Sequence, residues 1–537
     1  MQRRNFIKLV GASMASLLAS EYPAAANSIQ YAMEMPDAVS ILLDGRYTPM
    51  HTSGRQTWHY KDVVVKLQKQ QDSIAVFIQA PETALQEIQL SWQFASRAEV
   101  KILGDAWERT YGDVGFSAMN PALRLPWYCV EQGSEATACF GVKTGCNAFC
   151  YWRIAENKLE LNLDTRNGAD GVLLGGRTLH AADIVTTKNK EDENTFATVH
   201  RFCRQMCDKP RTVKQPVYGI NDWYFAYGNN SAKLILEHTA LLSPLATSTT
   251  NRPFSVIDDG WSEGSDYACT NKKFPDMPKL IEDIKQLGMR AGLWTRPLLA
   301  KQGTPKNLFI EKHDNILDPT IDENITYVKS LFRLYKSWGI EMVKHDYTTF
   351  EIFGRYGVNM KEALTFPGWH FNNRSKTNAE IILSFYKAIR DAAGDMYLIG
   401  CNTISHLSAG LFELYRIGDD TSGKEWAGTK KMGVNTLGVR MVQHRSFYQA
   451  DGDCVGLTTR VPWQKNKQWM QLLAQSSTPL FISAQPEAIG LEQKQFIKRC
   501  FDDAATHLPL AEPLDWTSNF FPQKWRLKGE VVQFQWD

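Results

Sequence analysis

The stretch IDENITYVKSLFRLYKSWGIEMVKHD, residues 321–346, joins an amphipathic helix to a short apolar strand. Apolar residues recur at helical spacing from Ile321 to Trp338, and Glu341 to Asp346 has the composition of a buried strand that ends in polar residues. A helix that leads directly into a buried strand is typical of a parallel α/β sheet. This stretch therefore predicts α/β architecture for the part of the chain around it.

Similar strand-and-helix units occur on both sides of this stretch. Helical stretches at 231–242, 277–287 and 381–393 separate strands, and about eight strands fit a (β/α)8 TIM barrel over 214–486 better than an open sheet. No glycine-rich phosphate motif follows the early strands, which argues against a dinucleotide-binding fold. The predicted strands are 217–222, 254–259, 290–294, 341–346, 397–402, 414–420, 453–457 and 479–483.

The regions that flank the barrel have a different pattern. Residues 28–200 contain many short segments that alternate apolar and polar residues, such as 63–67, 73–78 and 158–163, and this alternation predicts an N-terminal β-sandwich. Thr198 to Val213 reads as a connecting helix and linker. Residues 487–537 are expected to supply the last barrel helix and a small C-terminal β region. The predicted fold class is thus multidomain, α/β with additional β domains.

The first 26 residues have the pattern of an export signal. Arg3 and Arg4 precede a mildly apolar run and then a small-residue segment, and the arginine pair resembles a bacterial twin-arginine signal. An amphipathic N-terminal helix is the alternative interpretation. The signal predicts export to the periplasm or the cell surface, and folding before export favours buried free thiols for the ten cysteines.

Composition and charge exclude several classes of function. The chain has 60 basic and 58 acidic residues, which leaves no strong positive field for nucleic acid. We expect no membrane span, because no apolar run reaches the roughly 20 residues that a bilayer requires. Neither Cys146 with Cys150 nor Cys203 with Cys207 has a partner pair at zinc-site spacing, so no metal is expected. The sequence has no signal for an oligomeric state.

Carboxylates follow several of the predicted strands. The carboxyl ends of the strands meet at one face of a barrel, so these acids should lie close together. Their mutual repulsion should raise the pKa values of some of them. Lys344 lies two residues before Asp346, so both side chains point the same way, and the ammonium should keep Asp346 ionised. Asp420 lies where a strand passes into a loop. Glycoside cleavage needs two carboxylates in different environments. We therefore predict Asp346 as nucleophile and Asp420 as general acid and base.

Several motifs at these strand ends resemble those of α-galactosidases in glycoside hydrolase families 27 and 36, which form one clan. The clan's Lys-aromatic-Asp nucleophile motif is matched by Lys344-His345-Asp346, and its acid follows an arginine by four positions, which selects Asp420 after Arg416 over Asp419. The N-terminal β-sandwich favours family 36. The resemblance and the strand-end positions together imply a sugar-binding set of Asp258, Asp259, Trp223, Trp261, Trp294, Lys344, Asn402 and Arg416.

The resemblance implies a retaining, exo-acting α-galactosidase that needs no cofactor and acts on an oligosaccharide or glycoconjugate. His345 and Asn402 depart from the clan pattern. Other terminal α-linked sugars, including N-acetylgalactosamine and an arabinopyranose, therefore stay as alternatives, as does transglycosylation by the same carboxylates. A non-catalytic carbohydrate-binding protein is disfavoured because both Asp346 and Asp420 are present.

Overall fold

A computed structural model of the protein describes residues 34–93, 99–134 and 136–537. The predicted export signal, residues 1–26, lies outside these described residues. The domain boundaries drawn from sequence patterns stay predictions, but the change from β to α/β structure along the chain is directly visible.

Two antiparallel sheets occupy the N-terminal part of the described chain, as the alternating pattern predicts. Val63, Val65 and Leu67 are buried and alternate with less buried neighbours. The two sheets pack against each other, for example where the rings of Phe140 and Trp152 lie 6.1 Å apart. In spatial order, one sheet contains Leu125–Pro126, Phe149–Ala155, Lys158–Asp164, Glu87–Gln93, Ala38–Leu43 and Arg46–Pro49; the other contains His51–Thr52, Thr57–Tyr60, Val63–Lys69, Ile74–Ala80, Gly175–Lys188, Thr137–Val142, Tyr128–Gln132, Lys101–Gly104 and Ser117–Ala118.

A parallel sheet of nine segments follows in the chain. One edge segment, Gln449–Asp451, was missed by the sequence analysis, and only Gly452 and Asp453 separate it in the chain from Cys454–Leu457 at the other edge. In spatial order the segments are Gln449–Asp451, Leu414–Arg416, Tyr397–Gly400, Met342–His345, Arg290–Thr295, Phe254–Ile257, Tyr218–Asn221, Leu480–Ala484 and Cys454–Leu457. All neighbouring pairs are parallel.

Helices connect these strands close to the predicted positions. The helix predicted from Ile321 is Asp322–Trp338 and ends at Gly339, which has a left-handed φ of 90°. The connecting helix predicted from Thr198 is Thr195–Met206, and the non-helical residues 207–213 after it fit the predicted linker. The other α-helices are Trp223–Ala226, Ala232–Leu242, Met277–Gln286, Thr348–Phe353, Asn378–Ala393, Ser405–Ser408, Trp426–Thr429, Thr436–Arg440, Trp463–Gln475 and Leu491–Ala504.

Shorter elements fill the connections. A π-helix spans Lys430–Asn435, and a two-stranded hairpin joins Ser262–Glu263 to Asp266–Thr270. The 3-10 helices are Ser243–Leu245, Lys306–Leu308, Gly357–Asn359, Met441–Gln443 and Pro486–Ala488.

The C-terminal region is a three-stranded antiparallel sheet that shares the core of the rest of the protein. Its strands are Glu512–Pro513, Lys524–Leu527 and Glu530–Gln533. Trp525 and Trp536 are fully buried in the contiguous core that contains the parallel sheet. The indole N–H of Trp426 donates to the carbonyl oxygen of Trp536 at 2.7 Å. This region therefore packs onto the α/β part and has no separate core.

All ten cysteines are free, and nine of them are buried, as expected from the sequence. Within the described residues, no helix is both long enough and apolar enough to cross a bilayer.

Candidate active site

The predicted catalytic carboxylates lie at the carboxyl ends of two strands of the parallel sheet. Asp346 follows Met342–His345, and Asp420 comes four residues after the end of Leu414–Arg416. Only the strand Tyr397–Gly400 separates these two strands in the sheet. The fold therefore places both carboxylates at the carboxyl-terminal ends of the strands, on the same side of the parallel sheet.

Three donors hold the Asp346 carboxylate. Oδ1 accepts from the backbone N–H groups of Tyr347 at 2.7 Å and Asn402 at 3.1 Å, and Oδ2 accepts from the Trp294 indole at 3.0 Å. Burial raises the pKa of Asp346, but the charges of Arg109 and Lys344 outweigh burial and hold this pKa below its usual value. Asp346 is thus an oriented, ionised carboxylate, as a nucleophile requires.

Lys344 makes its direct contact with Asp258, while its charge helps to lower the pKa of Asp346 in the predicted direction. Its Nζ lies 2.8 Å from Oδ2 of Asp258, and Asn221 donates to the same oxygen at 2.7 Å. Behind this pair, Asp222 accepts from the backbone N–H of Asp258 at 2.7 Å, and burial raises the Asp222 pKa to about 7. Lys344 therefore acts on Asp346 only through its charge.

Asp420 is the more accessible of the two candidate catalytic residues. Its side chain is 48% exposed, and Oδ1 lies 2.9 Å from Nη2 of Arg416. Arg416 is itself buried, and Asp453 fixes its other terminal nitrogen at 2.8 Å. Partial burial raises the pKa of Asp420, but Arg416 and then Arg109 lower it more strongly, so the net direction is down. The rise expected from crowded acids does not occur at Asp420, because the cations around it have the stronger effect.

The N-terminal region contributes two site residues that the sequence analysis missed. Residues 108–111 run beside the end of Leu414–Arg416: the Thr110 N–H donates to Ile417 at 2.9 Å, and the Asp419 N–H donates back to Thr110 at 2.9 Å. Nη2 of Arg109 pairs with Asp419 at 2.7 Å. Arg109 is the cation that most strongly lowers the pKa of Asp346.

Glu108 is the second missed residue, and it holds Asn402 in place. Its carboxylate accepts from the Asn402 amide, from the Tyr111 hydroxyl and from the Gly357 N–H. Burial raises the Glu108 pKa to about 7. Asn402 Oδ1 in turn accepts from Phe350 N–H at 2.9 Å. Asn402 is buried, and its backbone N–H helps to orient Asp346. The predicted contact of Asn402 with the sugar stays a prediction.

The three candidate sugar-stacking tryptophans have different environments. Trp223 is half-buried and packs against Tyr227. Trp294 is 3% exposed and its indole is used by Asp346. Trp261 is fully buried and donates to the carbonyl oxygen of Trp294 at 2.9 Å. The expectation of a stacking surface is therefore wrong for Trp261, and Trp294 orients the carboxylate.

Asp259 and His345 differ in exposure. Asp259 is half-buried and uses Oδ1 to accept from Gly260 N–H at 2.7 Å. His345 points away from the strand-end site, because successive strand side chains face opposite ways. It is completely buried among Phe385, Tyr386 and Phe412. Burial lowers the pKa of His345 to about 3, so this histidine is neutral.

No group of three or more His, Cys, Asp or Glu side chains in the described part of the chain is arranged to hold a metal ion.

Comparisons with known proteins give the class of the fold. No family model matches the chain. An α-galactosidase of Escherichia coli is 26% identical over 182 residues, which is 31% of this chain and 21% of that protein. A putative α-galactosidase 8 of Emericella nidulans is 26% identical over 130 residues, which is 22% of this chain and 26% of that protein. The chain thus spans about a quarter or less of the length of these relatives.

Solved structures match over most of the chain. TtGalA, an α-galactosidase from Thermus thermophilus solved with p-nitrophenyl α-D-galactopyranoside, has a TM-score of 0.60 and 17% identity over 88% of this chain and 96% of its own. A doubly substituted form of the GH36 α-galactosidase AgaA from Geobacillus stearothermophilus, solved with raffinose, has a TM-score of 0.58 and 13% identity over 91% of this chain and 79% of its own. The fold is therefore a glycoside hydrolase fold. Within that class it is the fold of the GH36 α-galactosidases.

Proposed function

We propose that this protein is a retaining, exo-acting α-glycosidase that hydrolyses terminal α-linked galactose. The observation that carries the proposal is the pair of strand-end carboxylates, of which Asp346 is oriented by three donors and Asp420 is exposed beside Arg416. Two carboxylates in different environments are what glycoside cleavage requires. The α-galactosidase names of the structural neighbours support the choice of sugar.

In the first step, an oxygen of Asp346 attacks the anomeric carbon while the bond from that carbon to the glycosidic oxygen breaks. Oδ1 already accepts two hydrogen bonds, whereas among the described residues Oδ2 accepts one, from Trp294. Oδ2 therefore keeps a lone pair for the new bond. Asp420 donates its proton to the leaving oxygen, and the products are a covalent glycosyl-enzyme and the free aglycone.

In the second step, the ionised Asp420 takes a proton from water, and the water oxygen bonds to the anomeric carbon. The bond to Asp346 breaks, which regenerates the carboxylate, and Asp420 is again protonated. Two inversions give net retention. Arg416 suits this exchange because its 2.9 Å contact stabilises the ionised form of Asp420 between the two steps.

Sugar recognition is assigned to the strand ends on the other side of Asp346. Asp259 and Trp223 are half-buried and are the candidates for direct contact with sugar hydroxyls and the ring face. We propose that the Asp258 and Lys344 pair forms the floor of the site, where both residues are almost completely buried. Arg416 acts on the sugar through Asp420.

We extend the proposal to the architecture and the cellular location. The edge segments Gln449–Asp451 and Cys454–Leu457 are taken as two parts of one strand, which closes the parallel sheet into an eight-stranded barrel. The twin-arginine pattern in residues 1–26 is taken as a signal for export to the periplasm or cell surface. The substrate is an oligosaccharide or a glycoconjugate.

A panel of nitrophenyl α- and β-glycosides tests the proposal. We expect release of nitrophenol from the α-galactoside, with α-galactose as the first product in NMR spectra. Preference for the α-N-acetylgalactosaminide would change the sugar and keep the mechanism. If folded protein binds galactose but cleaves no α-glycoside in the panel, the proposed function would change from an enzyme to a carbohydrate-binding protein. β-Galactose as the first product would rule out retention.

A further inference from the structure

A cavity of about 410 Å³ lies between the N-terminal sheets and the loop that carries Gly357–Asn359. Small-molecule pockets have volumes of roughly 300–1,000 Å³, so this cavity is large enough for a ligand. Its walls come from the strands Lys101–Gly104 and Ser117–Ala118, from the connection between them, from residues 119–126, from Ile154 and from residues 357–362. The sheet-edge carboxylates Asp346 and Asp420 are not among its wall residues.

The cavity walls are largely apolar. Leu123, at the wall, leaves 42% of its surface exposed, so apolar surface continues to the solvent. The larger aliphatic side chains that line the cavity are Ile102, Val114, Met119, Leu123, Leu125, Ile154 and Val358. Such a lining selects apolar groups, because burying apolar surface is favourable whereas burying unpaired polar groups is costly.

Four of the six charged wall residues form ion pairs. Arg109 pairs with Asp419 at 2.7 Å, and Lys361 pairs with Asp113 at 2.7 Å. Asp105 pairs with Arg440 at 2.8 Å. The other two are Arg124, whose guanidinium lies 4.6 Å from the centre of the Tyr151 ring, and the exposed Glu362. Most of the charged wall residues are therefore already paired, and the larger, apolar part of the wall selects what the cavity accepts.

One side chain joins the cavity to the candidate active site. Arg109 lines the cavity, contacts Asp419 and lowers the pKa values of both Asp346 and Asp420. Gly357 also lines the cavity and donates to Glu108, which holds Asn402. Arg109 is therefore shared between the cavity wall and the charged surroundings of both carboxylates.

The cavity lies on the Asp420 side of the candidate active site, and this position indicates which part of a substrate could enter the cavity. A general acid must contact the glycosidic oxygen, so the leaving group lies on the Asp420 side. Asp419, the residue next to Asp420, pairs with Arg109 of the cavity wall. The residues assigned to the sugar lie on the other side of Asp346 in the sheet. We propose that the cavity binds an apolar aglycone, an alkyl or acyl chain, and that the substrate is a glycoconjugate. This inference rests on the proposed function.

The test compares octyl α-D-galactoside with methyl α-D-galactoside, both below micellar concentrations, by galactose release. The two leaving alcohols have similar acidity, so the ratio of their kcat/KM values reports apolar binding. Each CH₂ that becomes buried is worth roughly fourfold. We expect the octyl substrate to be favoured more than about tenfold in the wild-type protein.

The substitution Ala118→Trp fills the cavity from an exposed wall position, and Ala38→Trp is the matched control at an exposed position outside the cavity. Ala118→Trp should bring the octyl to methyl ratio close to one and leave methyl galactoside hydrolysis unchanged, while the control keeps the wild-type ratio. If the Ala118→Trp variant does not fold, Ala122→Trp is the second variant that fills the cavity, because Ala122 is another exposed wall residue.

Failure of the inference is distinct from failure of the proposed function. Wild-type protein that does not cleave 4-nitrophenyl α-galactoside would overturn both. Protein that cleaves this substrate but shows equal kcat/KM for octyl and methyl galactosides would overturn only the aglycone cavity. An octyl preference that survives a folded Ala118→Trp variant would also exclude this cavity as its source.

Discussion

Asp346 and Asp420 follow two strands of the same sheet, and Arg109 lowers the pKa of both, but the two side chains differ in exposure and in hydrogen bonding. Asp346 is 8% exposed and has three fixed donors, whereas the Asp420 side chain is 48% exposed and has one arginine contact. A nucleophile benefits from a fixed orientation, while an acid and base must reach both a leaving group and water. The comparison shows that sequence position places a carboxylate at each strand end, whereas tertiary contacts decide whether that carboxylate suits the role of nucleophile or of acid and base.

The largest expected effect is at Asp346. Asp346→Ala removes the attacking oxygen, so kcat for 4-nitrophenyl α-galactoside should fall by about 10⁴- to 10⁶-fold. Added azide should restore part of the rate and yield β-galactosyl azide, detected by NMR. Asp395→Ala, at an exposed surface position, is the control. Azide rescue without the azide product would argue against Asp346 as nucleophile.

The second effect depends on the leaving group. Asp420→Ala should lower kcat/KM for methyl α-galactoside by about 10²- to 10⁴-fold, because the poor leaving group needs the proton. Cleavage of the 4-nitrophenyl substrate in the first step should change much less. Steady-state and burst kinetics on both substrates measure the difference. Equal losses on the two would remove Asp420 from the acid role and make Asp419→Ala the next variant to measure.

The orientation of Asp346 is tested by two buried tryptophans. Trp294→Phe removes one hydrogen bond to a carboxylate, which is worth about 1.5–3 kcal/mol, and should lower kcat/KM roughly 10- to 150-fold. Trp261→Phe, the matched control, removes a bond to a backbone carbonyl and should reduce thermal stability while keeping kcat. A similar loss of kcat in both variants would mean that packing alone orients the nucleophile.

The smallest effect concerns the charge of Arg109. Its cation lowers the pKa values of Asp346 and Asp420, so Arg109→Gln should raise both. The nucleophile must be ionised and the acid protonated, so both limbs of the pH profile of kcat/KM should move to higher pH. These limbs report the coupled pair of carboxylates. Lys336→Gln, at an exposed ion pair, should leave the profile unchanged, and an unshifted Arg109→Gln profile would contradict the assignment.

Much of the α/β part was predictable because the relevant signals are local. The periodicity of residues 321–338 gave a helix within one residue of the observed start, and Lys344 and Asp346 emerged together at the next strand end. The missed segment Gln449–Asp451 is too short to show a period, and its strand role comes from pairing with Leu414–Arg416. The connecting helix begins three residues before the predicted Thr198, at Thr195, where the Asn194 side chain accepts from the Ala197 N–H.

Site residues could be predicted where they follow directly after a strand in the sequence. They could not be predicted where their role depends on contacts with residues far away in the sequence. Glu108 reaches Asn402 across 294 residues of sequence, and no spacing rule connects the two. Trp107 to Tyr111 does combine charged and aromatic residues, which was the available signal. The different uses of Trp223, Trp261 and Trp294 were likewise hidden, because burial is a property of the packed chain.

The sequence by itself determined the order of elements and the carboxylates at their ends, since helical and strand periodicity act over a few neighbouring residues. Tertiary structure alone decided that Lys344 binds Asp258, that Arg109 sets the charge beside both carboxylates and that Asn402 is enclosed by Glu108. Hydrogen bonding and charge act over a few ångströms in space. Which residues come within that distance is fixed only when remote segments pack together.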